Sequence, residues 1–86
     1  MKKQEILDKF KKLIAIENYS EQTQKSYYSA LKLFLEHIEK LKLDAVYDDE
    51  IRDYLYLCTD KKKYSFSSMK QVIASIRFFY QQKLHY

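Results

Sequence analysis

The sequence contains no glycine and no proline, and only one cysteine among its 86 residues. Tight hairpin turns, phosphate-cradling loops and dinucleotide-binding turns depend on glycine, so its absence excludes β-rich, P-loop and dinucleotide-binding proteins. The lone Cys58 cannot form an internal disulfide or a multi-cysteine metal site, which fits a reducing compartment. No apolar run approaches the roughly 20 residues of a membrane span, and the N-terminal residues lack the apolar stretch of a signal peptide. We therefore expect a cytoplasmic protein.

The sequence does contain enough apolar material for one core. Hydrophobic residues make up 47% of the chain and charged residues 33%, a balance typical of chains that fold alone. A chain of this length buries only about 60–65% of its unfolded surface, which leaves too little for a second core. We expect residues 1–86 to form a single domain.

The net charge of +4 conceals an uneven distribution along the chain. Residues 44–60 contain six acidic residues and one arginine, a net charge of −5, whereas residues 61–86 contain five lysines, one arginine and no acid, a net charge of +6. A domain polarised in this way more often faces a polyanion than a neutral partner. Charge alone leaves open the alternative that the lysines only keep the helices soluble.

Apolar residues recur at helical spacing in four segments, which predicts an all-α bundle of four helices. The first helix is expected over residues 4–17, with a buried face made of Ile6, Phe10, Leu13 and Ile14. The second begins after Ser20 as N-cap and runs for about 20 residues. Its buried stripe is expected to contain Tyr27, Ala30, Leu31, Phe34, Ile38 and Leu41.

The third and fourth helices follow a polar break at residues 42–49. The third is expected to start with Asp48 or Asp49 as its N-cap. Four of its residues are expected to face the core: Ile51, Tyr54, Leu55 and Cys58. A charged connector from Thr59 to Tyr64 leads to the fourth helix, which starts at Ser65. The residues expected to be buried on this helix are Met69, Val72, Ile73, Ile76 and either Phe79 or Tyr80.

The second and fourth helices repeat one pattern at an offset of 45 residues. Tyr19-Ser20 then aligns with Tyr64-Ser65, and the matched pairs that follow are Thr23 with Ser68, Lys25 with Lys70, Ala30 with Ser75, Lys32 with Arg77 and Phe34 with Phe79. Each copy has a hydroxyl cap, a basic residue one turn later, a small residue in the middle and an aromatic on the buried face. Chance agreement between two amphipathic helices is the alternative.

The outward faces of these two helices are polar and basic. The second presents Gln22, Lys25, Ser26, Ser29 and Lys32, with acids only at its ends, and the fourth presents Ser67, Lys70, Gln71, Ala74, Arg77 and Gln81, with no acid. Small hydroxyls allow close approach to a duplex, lysine and arginine neutralise phosphates, and glutamine can pair with a base edge. An ordinary solvated face mixes glutamate with lysine at four-residue spacing, so the pattern favours a nucleic-acid surface.

Three stretches resemble the N-terminal core-binding domain of tyrosine recombinases, the family of phage integrases and site-specific recombinases. Residues 19–27, followed by Leu31 and Phe34, are similar to the Ser-x-x-Thr-x-x-x-Tyr start of that domain's second helix. Residues 51–57 are similar to its third helix, and residues 65–80, which end in Ser-Ile-Arg-Phe-Phe-Tyr, are similar to its fourth. The resemblance covers about residues 4–84, and the order and spacing of the motifs are more specific than any one of them.

The resemblance implies a four-helix, SAM-like orthogonal bundle that binds one side of duplex DNA opposite a catalytic domain. Its second and fourth helices face the major groove, which assigns DNA contacts to Thr23, Lys25, Ser29, Lys32, Ser67, Ser68, Lys70, Gln71 and Arg77. Two features depart from the family. Ser68 stands where threonine is common, and the chain stops before the linker that would lead to the catalytic domain.

We expect no catalytic residue in this chain. The family's reaction needs a tyrosine nucleophile together with arginine, lysine and histidine groups. Here the two arginines, Arg52 and Arg77, fall on bundle helices, and His37 and His85 have no partner at suggestive spacing. The parent protein would be the recombinase, and no metal or cofactor is indicated. The isolated domain is expected to be a monomer, and the alternative function is a small helical module that docks an acidic protein.

Overall fold

The computed structural model describes residues 3–42 and 47–81. Four α-helices make up this part of the chain, namely α1 (Lys3–Ile16), α2 (Glu21–Lys40), α3 (Asp48–Asp60) and α4 (Phe66–Gln81). The described residues contain no strand, so the predicted all-α bundle is confirmed. None of these helices combines the length and the apolar character needed to cross a membrane.

The central helix is α2, and α1 runs antiparallel along one of its flanks. The ammonium group of Lys3 lies 3.8 Å from the Glu39 carboxylate, which places the start of α1 beside the end of α2. At the other end, Ile14 of α1 and Gln24 of α2 line the same groove. The two helices therefore pack side by side over most of their length.

On the opposite flank of α2 lies α4, which is also antiparallel to it. Val72, in the first half of α4, shares a groove with Ala30 of α2. Near the other end of α4, the ring of Phe78 packs edge-on against Tyr19, just before α2, with 6.3 Å between ring centroids. This arrangement places Ser26 and Ser29 of α2 next to Ser68 and Gln71 of α4.

Edge-to-face aromatic pairs join the helices in one core. Phe34 of α2 packs on Tyr54 of α3 at 5.1 Å, and Phe10 of α1 packs on Phe78 of α4 at 5.5 Å. Such pairs contribute about 0.5–1.5 kcal/mol beyond the burial of their area. The core also contains predicted residues that are fully or almost fully buried: Ile6, Ile14, Ala30, Leu31, Ile38, Cys58, Val72, Ile76 and Phe79.

The starts of α2 and α4 have the same construction, as the 45-residue repeat predicts. The Ser20 hydroxyl accepts a hydrogen bond from the Thr23 backbone N–H at 3.2 Å and donates to the Thr23 hydroxyl at 2.9 Å. Ser65 and Ser68 make the same two contacts at 3.3 Å and 3.2 Å. Both predicted serine caps are confirmed. At each helix start, the serine hydroxyl accepts a hydrogen bond from a backbone N–H that has no partner within the helix.

The ends of α3 differ from the expectation. The N-cap is Tyr47, whose backbone N–H donates to the Glu50 carboxylate at 3.1 Å, and this bond closes the helix start one residue earlier than expected. Asp48 and Asp49 therefore lie inside the first turn, where their charges favour the helix dipole. The prediction that the connector starts at Thr59 is also wrong, because α3 continues to Asp60.

Two residues expected in the core are exposed. Ile73 is 37% exposed because the short α3 leaves it at the rim of a groove with α4, and Leu41 is 54% exposed because it caps α2 beyond the end of the core. Conversely, Leu7, Leu35 and Phe78 are buried although the single-stripe pattern does not select them. Neighbours on more than one side widen the buried arc of each helix.

The turns after the first three helices use left-handed backbone without glycine. The φ angles are 63° at Asn18, 55° at Lys42 and 54° at Lys63. Glycine takes this conformation freely, asparagine tolerates it, and other residues adopt it at a cost of roughly 1–2 kcal/mol. The helix connections therefore contain local strain that the packed core offsets.

Candidate nucleic-acid interface

A groove of about 400 Å³ lies between α2 and α4, and we call it the α2–α4 groove. It is lined by Lys25, Ser26, Ser29, Ala30, Leu33, Tyr64, Ser68, Gln71 and Val72. Four residues selected from the sequence as DNA contacts, Lys25, Ser29, Ser68 and Gln71, thus lie around one depression. These parts of the two polar faces lie together, whereas Ser67, Lys70 and Arg77 do not line this groove.

A second groove, of about 580 Å³, lies between α1 and α2, and we call it the α1–α2 groove. It is lined by Lys11, Ile14, Glu21, Gln24, Lys25, Tyr28 and Ser29. Lys25 and Ser29 line both grooves, so they form a ridge between them. Lys32 is exposed and continues this α2 ridge one turn further, since it follows Ser29 by three residues.

The other selected hydroxyls lie near the grooves but differ in availability. Thr23 is half-buried and its hydroxyl accepts from Ser20, and Ser68 is bonded in the same way to Ser65. Both hydroxyls are therefore already hydrogen-bonded to the cap serines at the helix starts. Ser67 is exposed and lines neither groove.

Aromatic rings lie close to two ammonium groups, one in α4 and one in the connector that precedes it. The Lys70 ammonium lies 4.8 Å from the centroid of the exposed Phe66 ring, and that of Lys62 lies 5.6 Å from the Tyr64 ring, which lines the α2–α4 groove. Cation–π contacts at exposed sites contribute about 0.5–1 kcal/mol. The ring of Tyr64 thus holds the Lys62 ammonium near the α2–α4 groove, whereas Lys70 and Phe66 line neither groove.

Arg77 does not lie at the α2–α4 groove, and it shares its exposed face of α4 with Lys70, seven residues earlier. It lines a third groove, between α3 and α4, together with Asp48, Ile73 and Tyr80. Gln71 and Ile73 are two residues apart, so they project roughly 160° apart around the helix and face opposite flanks of α4. The acidic α3 is therefore separated from the α2–α4 groove by α4 itself.

One acid does lie on the basic surface. The Glu21 carboxylate is 3.5 Å from the Lys25 ammonium, four residues later on the same helix. Both side chains are exposed, so this pair contributes only about 0.3–0.5 kcal/mol to stability. A polyanion that binds Lys25 would have to compete with Glu21.

The titratable groups of the core have shifted pKa values. Burial raises the pKa of Cys58 above its usual value, which disfavours the reactive thiolate, and burial also raises the pKa of the Tyr54 phenol. Burial, assisted by Lys62 and Lys40, lowers the pKa of the half-buried His37. The described ranges hold no cluster of three histidine, cysteine or acidic side chains placed for a metal ion, and His85 lies outside them.

Sequence reasoning missed the contribution of α1. Neither Lys11 nor Tyr28 is among the residues that the sequence selects as DNA contacts, yet both line the α1–α2 groove. Lys11 is next to the buried stripe that contains Ile14, so it lies at the edge of α1 that faces α2. Only the packing of the two helices shows this proximity.

The family model described as phage integrase, N-terminal SAM-like domain, matches residues 6–85. No curated protein and no solved structure matches the chain.

Proposed function

The chain belongs to the family of phage integrase N-terminal SAM-like domains, and from this membership we propose that it binds double-stranded DNA as the core-binding domain of a tyrosine-type site-specific recombinase. The observation that carries the proposal is the α2–α4 groove, in which two helices present lysine, serine and glutamine side chains on one side of the bundle. The proposed contacts are Thr23, Lys25, Ser29, Lys32, Ser67, Ser68, Lys70, Gln71 and Arg77.

The chemistry of these side chains suits the surface of a duplex. Ammonium and guanidinium groups neutralise phosphates, and short hydroxyls donate to phosphate oxygens without holding the helix away from the groove. Gln71 is exposed at the rim of the α2–α4 groove, and its amide can read a base edge. The position of Arg77 on another flank of α4 suggests that it binds a phosphate at the border of the contact area.

The proposal assigns the breaking and joining of DNA strands to another part of the parent protein. That reaction needs a nucleophilic tyrosine and cationic groups that stabilise the charge developing on the phosphate. We propose that residues 1–86 are one binding domain and that a catalytic domain of the same parent chain supplies those groups. The domain would then contribute affinity, orientation and part of the site preference.

A salt titration tests the proposal. Four basic residues are proposed as phosphate contacts: Lys25, Lys32, Lys70 and Arg77. We therefore expect a plot of the logarithm of the association constant against the logarithm of the salt concentration to have a slope of about −3.6, since each contact contributes about −0.9. Fluorescence anisotropy of a labelled duplex measures this slope. Binding whose strength does not change with salt would contradict the proposal.

Competition separates DNA binding from the alternative of an acidic protein partner. Heparin and duplex DNA should both displace the labelled duplex, but only DNA should give chemical-shift changes concentrated at Ser29, Ser68 and Gln71, because hydroxyl and amide contacts depend on duplex shape. Identical shift patterns with heparin and DNA would indicate a general site for polyanions and favour the alternative.

Removing the acid on the basic surface should strengthen binding. We expect Glu21→Gln to raise the affinity for a duplex several-fold, because Lys25 loses its ion-pair partner and the phosphates no longer face a carboxylate. The measurement is the same anisotropy titration at low and at moderate salt, and the gain should be larger at low salt.

The matched control for this prediction is Glu39→Gln. Glu39 is an exposed acid at the far end of the same helix, beside Lys3 of α1, so its replacement changes the net charge equally without touching the grooves. Equal gains from both variants would mean that net charge alone sets the affinity, and the assignment of Lys25 would then be wrong.

A further inference from the structure

We infer that α1 adds a third DNA-contacting strip, in which Lys11 binds a backbone phosphate of the duplex that occupies the α2 ridge. This inference rests on the proposed function, which assigns DNA contacts to α2 and α4 only, and extends it to α1. The observation behind it is the α1–α2 groove, the larger of the two grooves that border the ridge.

The two grooves lie on either side of the α2 ridge. Lys25 and Ser29 line both, so a ligand that sits on these two side chains reaches the walls of each groove. On the α4 side the walls carry Ser68 and Gln71, and on the α1 side they carry Lys11 and Tyr28. A duplex that covers the α2 ridge therefore faces a donor-rich wall on both sides.

Dimensions indicate which part of the duplex each wall meets. The major groove is about 12 Å wide. Packed helices lie about 8–10 Å apart, so when the α2–α4 groove faces the major groove, α1 on the other flank of α2 lies over the sugar-phosphate strand that borders it. The only groups within reach there are phosphates and sugars, which makes a phosphate oxygen the partner of the Lys11 ammonium.

The side chains of the α1–α2 groove divide between structural and binding roles. The Gln24 amide donates to the Tyr19 carbonyl at 2.8 Å and so holds the start of α2. The Tyr28 ring is half-buried and places a phenol beside the groove, where its hydroxyl can donate to the same phosphate strand. Lys11 and Lys25 together outweigh the one carboxylate of this groove, Glu21.

A comparison of two lysines on α1 tests the inference. Lys9 and Lys11 are both exposed, but they project roughly 160° apart around the helix, and Lys9 lines neither groove. We expect Lys11→Gln to weaken duplex binding several-fold and to reduce the magnitude of the salt slope by about 0.9, the value for one lost phosphate contact. Lys9→Gln should leave the slope unchanged.

The same titrations distinguish failure of this inference from failure of the proposed function. If Lys25→Gln weakens binding while Lys11→Gln and Lys9→Gln have equal effects, α1 contributes only diffuse charge and the inference alone is overturned. If the unaltered chain shows no salt-dependent duplex binding, the proposed function and the inference are both overturned. Thermal unfolding of each variant checks that the exposed substitutions leave the bundle folded.

Discussion

Replacement of Phe34 by alanine should destabilise the bundle by about 3–5 kcal/mol, the usual cost of removing a buried phenylalanine. Phe34 is fully buried in α2, and its ring packs edge-on against Tyr54, with centroids 5.1 Å apart. The substitution therefore leaves a cavity where α2 meets α3 and also removes the aromatic pair. A domain of 86 residues has a free energy of unfolding of about 4–13 kcal/mol, so a large share of the stability is lost.

Urea unfolding followed by circular dichroism measures this change. The matched control is Phe66→Ala, because Phe66 is 76% exposed at the start of α4 and its ring touches only the periphery of the bundle. We expect that variant to change the free energy of unfolding by less than about 0.5 kcal/mol. Similar losses from the two variants would mean that the core is not built around Phe34.

The double replacement Lys25→Ala with Lys70→Ala should give the largest loss of DNA binding. Each lysine is proposed to neutralise one phosphate, so the salt slope should fall in magnitude by about 1.8 and the affinity at low salt by at least an order of magnitude. Lys25 belongs to the α2 ridge and Lys70 to the exposed face of α4, so the pair tests both helices at once.

The control for this pair is Lys9→Ala with Lys12→Ala. These two lysines are exposed on α1 and are not among the proposed contacts, and their loss changes the net charge by the same amount. Their removal should lower the affinity only slightly. A loss as large as that from Lys25 and Lys70 would show that binding follows total charge rather than a defined surface.

The helices and caps could be predicted from the sequence because each depends on neighbours within a few residues. Ser20 and Ser65 act through backbone N–H groups three residues later, and the apolar stripe of α2 is visible as a 3.6-residue period. The α3 cap was missed because a tyrosine gains this role only through the reciprocal bond from its N–H to Glu50. Standard cap preferences point instead to the aspartates that follow.

The composition of the candidate site was predictable, but its geometry was not. Spacing placed Lys25 and Ser29 on one face of α2, which is a local property. The separation of Arg77 from that surface and the approach of Lys11 to it depend on how α1, α3 and α4 pack around α2. Helical periodicity describes one helix at a time, so it cannot rank the lysines of different helices by their distance from a shared groove.

The left-handed turns at Asn18, Lys42 and Lys63 affect how the bundle meets a ligand. Residues with a Cβ atom have fewer accessible conformations than glycine, so an unfolded chain without glycine loses less conformational entropy on folding. The same restriction limits hinge motion at the turns after α1 and α3. Because Val72 of α4 packs beside Ala30 of α2, the core sets the spacing of the two walls of the α2–α4 groove before any partner arrives, and association should require little further ordering of the protein.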